Sequence, residues 1–352
     1  MRARRRWSRT FILLGIVLEL PLVARAIGAV TATPKVEEVT IDGVHVEISR
    51  PGGVGPWPAF VFITGAHPDR RREPVVQRVA RGLARAGFVV AVPDLPGLGE
   101  GEVTRHTFES ARRVTRAISE LPEVRGGRIA LAGASTGAGI SLVTAADPAL
   151  ASSVSVVCSI VPYADIQEII RLATTDSHST NSGPAHPVTI LLRRTVGRSL
   201  VSALPDGADR DRLIAPLRAV ADDDIDPLRH LGGVAVVTPE ARAVVDLLLN
   251  RDATRFPALY EALPLVVIDD LEALSPIRIA ADVQAPVETI VPPSDPYFPI
   301  EEAIALSGRH PRGRITVTGV LDHTRPSLTA QKATDIVVFL RWTARCLGTA
   351  AS

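Results

Sequence analysis

The chain is poor in cysteine, lysine and aromatic residues, and it carries no excess charge of either sign. Two cysteines in 352 residues, Cys158 and Cys346, exclude a disulfide framework and show no metal-ligand spacing. Cys158 lies in an apolar run and reads as a small core residue; one Cys158–Cys346 disulfide is the remaining alternative. Lys35 and Lys332 are the only lysines, so nearly all positive charge is arginine. A net charge of +1 with 22% charged residues excludes both a basic nucleic-acid-binding face and an acidic disordered tail. No internal repeat and no low-complexity segment interrupts it. No His/Cys/Asp cluster has ligand spacing, so neither a metal nor a cofactor is expected, and His178 and His186 read as solvent-exposed. With 46% hydrophobic residues the composition is that of a globular protein, and the length suits one large α/β sheet as well as two average domains.

Residues 1–32 read as a segment outside the fold. Arg2, Arg4, Arg5, Arg6 and Arg9 precede an apolar run from Phe11 to Val23, broken only by Glu19, and small residues such as Ala24-Arg25-Ala26 follow. That is the layout of a secretory signal. The alternative is an uncleaved membrane anchor from Phe11 to Val30. Glu19 and Arg25 would then sit inside the span, at roughly 2–3 kcal/mol each near its centre. Both readings place the body outside the cytoplasm, as an exported or outward-facing protein with membrane association through this segment in the second case.

From Val36 onward the periodicities resolve. Val36–Ile41 and Val44–Ile48 alternate around Asp42-Gly43, a hairpin signal. Continuous apolar runs at Ala59–Ile63, Phe88–Val92, Ile129–Ala132 and Ser153–Val161 read as strands buried on both faces. Helical spacing appears between them at Val75–Ala86, Phe108–Leu121 and Ser141–Ala146. The alternation predicts a mostly parallel sheet with helices on both faces. It lapses from Tyr163 to Ser275, where helical stretches such as Ile166–Leu172 and Pro239–Leu249 stand among loops near Thr174–Pro187 and Pro205–Asp211. So long a segment is too long for a connection and reads as an inserted, mainly helical cap. Strand Pro286–Val291, helix Ile300–Leu306, strand Arg314–Thr318 and a helix from Leu328 to Cys346 complete the chain. The expected division is therefore 1–32 signal or anchor, 36–162 with 276–348 core, and 163–275 cap.

The chemistry centres on Gly133-Ala134-Ser135-Thr136-Gly137, placed between a buried strand and a helix. A serine is a weak nucleophile until a base takes its proton and a third group orients the base. A strand-to-helix elbow exposes the Ser135 hydroxyl at the sheet's carboxyl edge and needs small neighbours, here Gly133 and Gly137. The partners follow such an elbow in the order acid, then histidine. Asp295 follows the strand Pro286–Val291, and His323 follows the last strand, so both reach the same edge. The oxyanion of an acyl transfer needs two N–H donors, read here as Thr136 and, in the Thr64-Gly65-Ala66-His67 turn, Ala66. His67 either faces the acyl pocket or caps its loop. Each residue also has a plainer use: a Gly/Ser turn for the elbow, a turn or N-cap for Asp295, a surface loop for His323. Asp322, as the sequence neighbour of His323, is badly placed to orient its ring.

The elbow, the Thr64-Gly65 turn, the stretch Val92-Pro93-Asp94-Leu95-Pro96-Gly97-Leu98-Gly99, and Asp295 with His323 together resemble the α/β-hydrolase superfamily. The similarity covers roughly Val36 to Leu347 outside the cap. Within the superfamily the chain looks like bacterial dienelactone-hydrolase-like and esterase- or lipase-like members that carry an N-terminal signal or anchor. It departs from them at Thr64, where His-Gly is common, and at Ser135, where dienelactone hydrolases carry cysteine. By the same resemblance Asp94 is structural. The resemblance implies a serine hydrolase that forms an acyl-enzyme on a small-molecule carboxylic ester. The same triad serves thioesters and peptides, and a silent member of the fold would be a binding protein. Three runs, Leu191-Leu192, Val244–Leu249 and Leu263–Ile268, either roof a hydrophobic pocket or pack on the core. Nothing in the chain fixes an oligomeric state.

Overall fold

The computed structural model describes residues 2–18, 21–179, 188–219, 226–326 and 333–352. Its centre is an eight-stranded sheet. The strands are β1 (Lys35–Ile41), β2 (Val44–Arg50), β3 (Trp57–Ile63), β4 (Val89–Pro93), β5 (Val124–Ala134), β6 (Val154–Ile160), β7 (Val287–Val291) and β8 (Gly313–Val317), in the order β1-β2-β4-β3-β5-β6-β7-β8. The β1–β2 hairpin joins β4 antiparallel, and every other pair is parallel. A parallel sheet needs cover on both faces, which is why its strands read as unbroken apolar runs rather than alternating ones.

Alternate residues of each strand feed two cores. Phe60, Phe62, Val90, Ala130, Ala132 and Cys158 face α1 (Arg2–Val17), α3 (Pro74–Arg85) and α14 (Ala333–Ala350). Ala59, Val61, Val89, Ile129 and Leu131 face α4 (Arg105–Ser119) and α5 (Thr136–Ala145). Between β6 and β7 the described residues hold α6 (Ile166–Thr175), α7 (Ile190–Ser202), α8 (Ala208–Ala219), α9 (Pro239–Leu249), α10 (Phe256–Glu261), α11 (Leu265–Ala273) and α12 (Pro276–Ile279). Pro205–Asp211, read as loop, in fact contributes the first turn of α8. Of the three apolar runs here, Val244, Val245, Leu247 and Leu248 are core, whereas Leu265 and Val266 are exposed. α13 (Ile300–Arg309) follows β7, and α14 begins at Ala333. The Leu328 start expected for that last helix lies outside the described residues.

Two expectations are corrected. The N-terminal segment does not stand apart from the fold: α1 packs on both α3 and α14, and α2 (Pro21–Val30) packs on α1. The physical reason is a stripe, Thr10, Leu13, Leu14 and Val17, at the i, i+3, i+4, i+7 spacing of one helix face, and all four are buried. Gly82 in α3 allows the approach, because a β-carbon there would come within 2.8 Å of Leu13 Cδ1. Burying Leu13 and Leu14 in this way contributes on the order of 1.5–3 kcal/mol each. No helix among the described residues is long and apolar enough to cross a membrane.

The second correction concerns His178, which is buried rather than solvent-exposed. Its Nε2 lies 2.8 Å from Glu302 Oε1, and Glu302 Oε2 accepts the N–H groups of Ala164 and Asp165 at 2.7 and 3.0 Å. One carboxylate of α13 thus ties down the chain as it leaves β6, and burial is tolerated because every charge there has a partner. His186 lies outside the described residues.

Burial works against protonation of His178, but the hydrogen bond and charge of Glu302, helped by Glu168 and Glu301, hold its pKa above the ordinary 6.5. A raised folded-state pKa contributes stability that is complete below 6.5 and disappears as the pH climbs through the raised value. We therefore expect His178→Gln to lower the melting temperature more at pH 6 than at pH 9. Equal losses at both would show that the pair is held by packing alone.

Candidate active site

Ser135 sits between β5 and α5 with φ 54° and ψ −125°, a left-handed backbone that a non-glycine residue adopts only under constraint. The constraint is visible on both sides. The Ser135 N–H donates to Ile160 O at 2.8 Å, anchoring the turn to β6. On the other side the first turn of α5 is pressed against the end of β3. A β-carbon at Gly137 would lie 2.2 Å from Ile63 O and 2.4 Å from Thr64 O, and one at Gly133 would lie 2.1 Å from Gly137 O. No side chain fits at either position. Gly65 in turn packs against Ser135, whose Cβ would be 3.2 Å from an added β-carbon. The turn that carries Ala66 is therefore held beside the hydroxyl. Thr136 is the first residue of α5, so its N–H has no acceptor inside the helix. It and Ala66 both line the cavity that Ser135 faces.

His323 and Asp295 meet at that cavity. His323 also has a positive φ, 50°, in a tight ribbon between β9 (Leu321–Asp322) and β10 (Arg325–Pro326), a strained turn that aims its ring inward. Its Nδ1 is 2.7 Å from Asp295 Oδ2. Asp295 is buried, and its other oxygen accepts the N–H groups of Tyr297 and Phe298, each at 2.9 Å. Donors to one oxygen leave the other aimed at the imidazole, so Nδ1 carries the proton and Nε2 is left to accept one. Asp322 is exposed and takes no part in this contact. No hydrogen bond joins Ser135 Oγ to His323; both line the same cavity of about 480 Å³.

Other polar side chains of the core have other uses. His310 is buried, with Nε2 donating to Val283 O at 2.8 Å and Nδ1 accepting from Arg312 N–H at 3.0 Å. Burial holds its pKa below the ordinary value, which fits a neutral structural role. His67 Nδ1 accepts the Asp69 N–H at 3.2 Å, and the residue lines the cavity. Asp94 forms a part-buried ion pair with Arg71, a structural use. Cys158 and Cys346 are free, buried and on the cavity wall. Burial and a hydrogen bond with Cys158 push the Cys346 thiol well above its usual range, so it stays protonated and is no nucleophile.

Several contributors escaped the sequence reading. Tyr297 and Phe298 flank the His323 ring at centroid distances of 4.4 and 6.3 Å. Their position directly after Asp295-Pro296 was the available signal. Thr64 Oγ1 is buried on the cavity wall with no partner among the described residues, a donor that the sequence showed only as a departure from His-Gly. Leu191, Leu192 and Thr195 of α7 also reach the cavity.

With this geometry the comparisons with known proteins can be read. Est1E from Butyrivibrio proteoclasticus superposes with a TM-score of 0.53 at 13% identity, over 90% of this chain and 99% of that one. A 2,6-dihydroxy-pseudo-oxynicotine hydrolase gives 0.51 at 15% identity, over 89% and 68% of the two chains. The acylaminoacyl peptidase of Pyrococcus horikoshii gives 0.53 at 11%, over 92% of this chain and 41% of that one. This chain has the α/β-hydrolase fold. Within that fold, the acetyl xylan esterase (AXE1) family model matches residues 97–180, which contain Ser135 but neither Asp295 nor His323. No curated protein matches this chain.

The packing of the elbow makes a stability test. Gly137→Ala should cost about 2–3 kcal/mol, because its new methyl meets two backbone carbonyls that cannot retreat. Gly308→Ala, in α13 with open space around it, should be neutral or stabilise by up to about 1 kcal/mol. Urea denaturation of both variants checks the pair, and equal effects would overturn this account of the elbow.

Proposed function

We propose that the chain is a serine hydrolase that cleaves carboxylic esters through an acyl-enzyme, with Ser135 as nucleophile, His323 as base and Asp295 as the group that orients it. The observation that carries this reading is the 2.7 Å contact between His323 Nδ1 and buried Asp295, on a cavity that Ser135 also lines. Ser135 Oγ attacks the carbonyl carbon as its proton passes to His323 Nε2. The negative charge on the carbonyl oxygen is received by the N–H groups of Ala66 and Thr136. Collapse expels the alcohol, protonated by His323, and water then repeats the sequence on the acyl-Ser135 ester. The Ser135–His323 hydrogen bond forms when substrate arrives, as such contacts commonly tighten in the complex.

The choice of ester is supported by the acetyl xylan esterase match over 97–180; thioester and peptide cleavage by the same groups are separated from it by a substrate panel. The absent Ser135–His323 bond favours one rival reading, a silent binding protein. The arginine-rich start and apolar run of residues 1–32 support a location outside the cytoplasm, and the contacts of α1 favour keeping that segment rather than cleaving it.

A fluorophosphonate should label the intact protein at Ser135, and Ser135→Ala should abolish labelling. His323→Ala should lower kcat on p-nitrophenyl butyrate by about three orders of magnitude or more, and Asp295→Asn by roughly two to four. An unlabelled wild type that leaves short esters intact would establish the silent reading instead.

A further inference from the structure

The cavity at Ser135 is deeper than a small acyl group needs. It runs along one face of the sheet, beneath the helix layer, and follows α3 from Glu73 beside the site to Leu83 at the far end. On the sheet side it descends from Ser135 past Ala134 and Ala132 to the level of Phe60, which pairs with Ala130. Five residues at about 3.3 Å each make a depth of roughly 16 Å. Small side chains create this space. Ala132 and its neighbour Cys158 lie in register, where a buried parallel sheet would ordinarily carry branched residues.

The far end is lined mostly by apolar side chains. Leu83, Trp342, Cys346 and Leu347 close it from α3 and α14, and all are buried. The last wall is α1, whose Leu13, Leu14 and Val17 face the cavity. His67, Thr195, Asp322, Thr324 and Arg325 put polar groups around the mouth, whereas Thr343 of α14, at the far end, has its hydroxyl committed to Phe339 O at 3.0 Å. A mostly apolar channel suits the part of the substrate that stays attached to Ser135 after the first step, while the alcohol leaves through the polar mouth.

We propose that this channel binds the acyl chain of a medium- to long-chain fatty ester, and that the N-terminal helix α1 forms its end wall and sets the chain length accepted. The proposal rests on the serine hydrolase reading above. Each methylene that enters leaves water for apolar surroundings, so specificity climbs with chain length until the channel is full.

The test uses the full chain, with intact mass showing that α1 is retained, and two ester series. One is p-nitrophenyl esters from acetate to palmitate; the other is alkyl acetates, with the chain on the alcohol side. In the first series kcat/KM should rise roughly three- to fourfold per methylene and peak near ten carbons, the length that about 16 Å admits. The alkyl acetates should show no such rise. Leu14→Ala, which opens the end wall, should move the optimum to longer chains. Cys346→Phe, which fills the far end, should lower the decanoate-to-butyrate ratio at least tenfold. Opposite shifts cannot both come from misfolding, and fluorophosphonate labelling of Ser135 reports the integrity of each variant. A labelled wild type that prefers acetate, a rise only with the alcohol chain, an unmoved profile in both variants, or removal of α1 from the active protein would overturn the channel while leaving the hydrolase reading intact. An unlabelled, inert wild type would overturn both.

Discussion

Where the first turn of α5 meets the end of β3, backbone lies directly on backbone, and the rest of the site depends on that contact. Gly137 sits against the carbonyls of Ile63 and Thr64, and Gly133 against Gly137, at distances that exclude any side chain. The approach forces the residue between them, Ser135, into a left-handed conformation that lifts its hydroxyl off the sheet. It also sets the Thr64-Gly65-Ala66 turn beside that hydroxyl, so Ser135, Ala66 and Thr136 are positioned by one packing event. The strain is tolerated because β5 and β6 hold the turn from below.

Asp295 and His323 come to this point by a different route. β7 and β8 are parallel neighbours, so the loops that leave their carboxyl ends emerge side by side. Asp295 and His323 occupy those two loops. Burial sharpens the pairing: one Asp295 oxygen is committed to two backbone donors, the other to the imidazole. The helical segment between β6 and β7 is anchored near its start by Glu302 with His178, and α7 brings Leu191, Leu192 and Thr195 to the cavity.

The core strands and the order of Ser135, Asp295 and His323 were legible because each depends on short-range pattern. A strand buried on both faces is a run of apolar residues, and a loop after such a run lies at the sheet's edge whatever the rest of the chain does. That α1 packs on the fold was not legible, for a physical reason. Basic residues followed by an apolar run describe an export signal and an amphipathic helix equally well. The contacts of α1 with α3 and α14 are tertiary, and neither pattern encodes them. His178 was misread because its partner, Glu302, is remote in sequence, and a lone histidine in a polar stretch gives no sign of a buried carboxylate.

By itself, the sequence determined the layered α/β architecture, the elbow at Ser135 and the edge on which Asp295 and His323 lie, since local periodicity and strand polarity dictate all three. Tertiary structure alone decided that Asp295 rather than Asp322 holds the imidazole and that Tyr297 and Phe298 flank it. It alone also showed that a helix from the chain's start lines the same cavity as Ala132 and Cys158. A cavity belongs to no single residue: it is the space left when small side chains on adjacent strands meet helices held apart by larger ones.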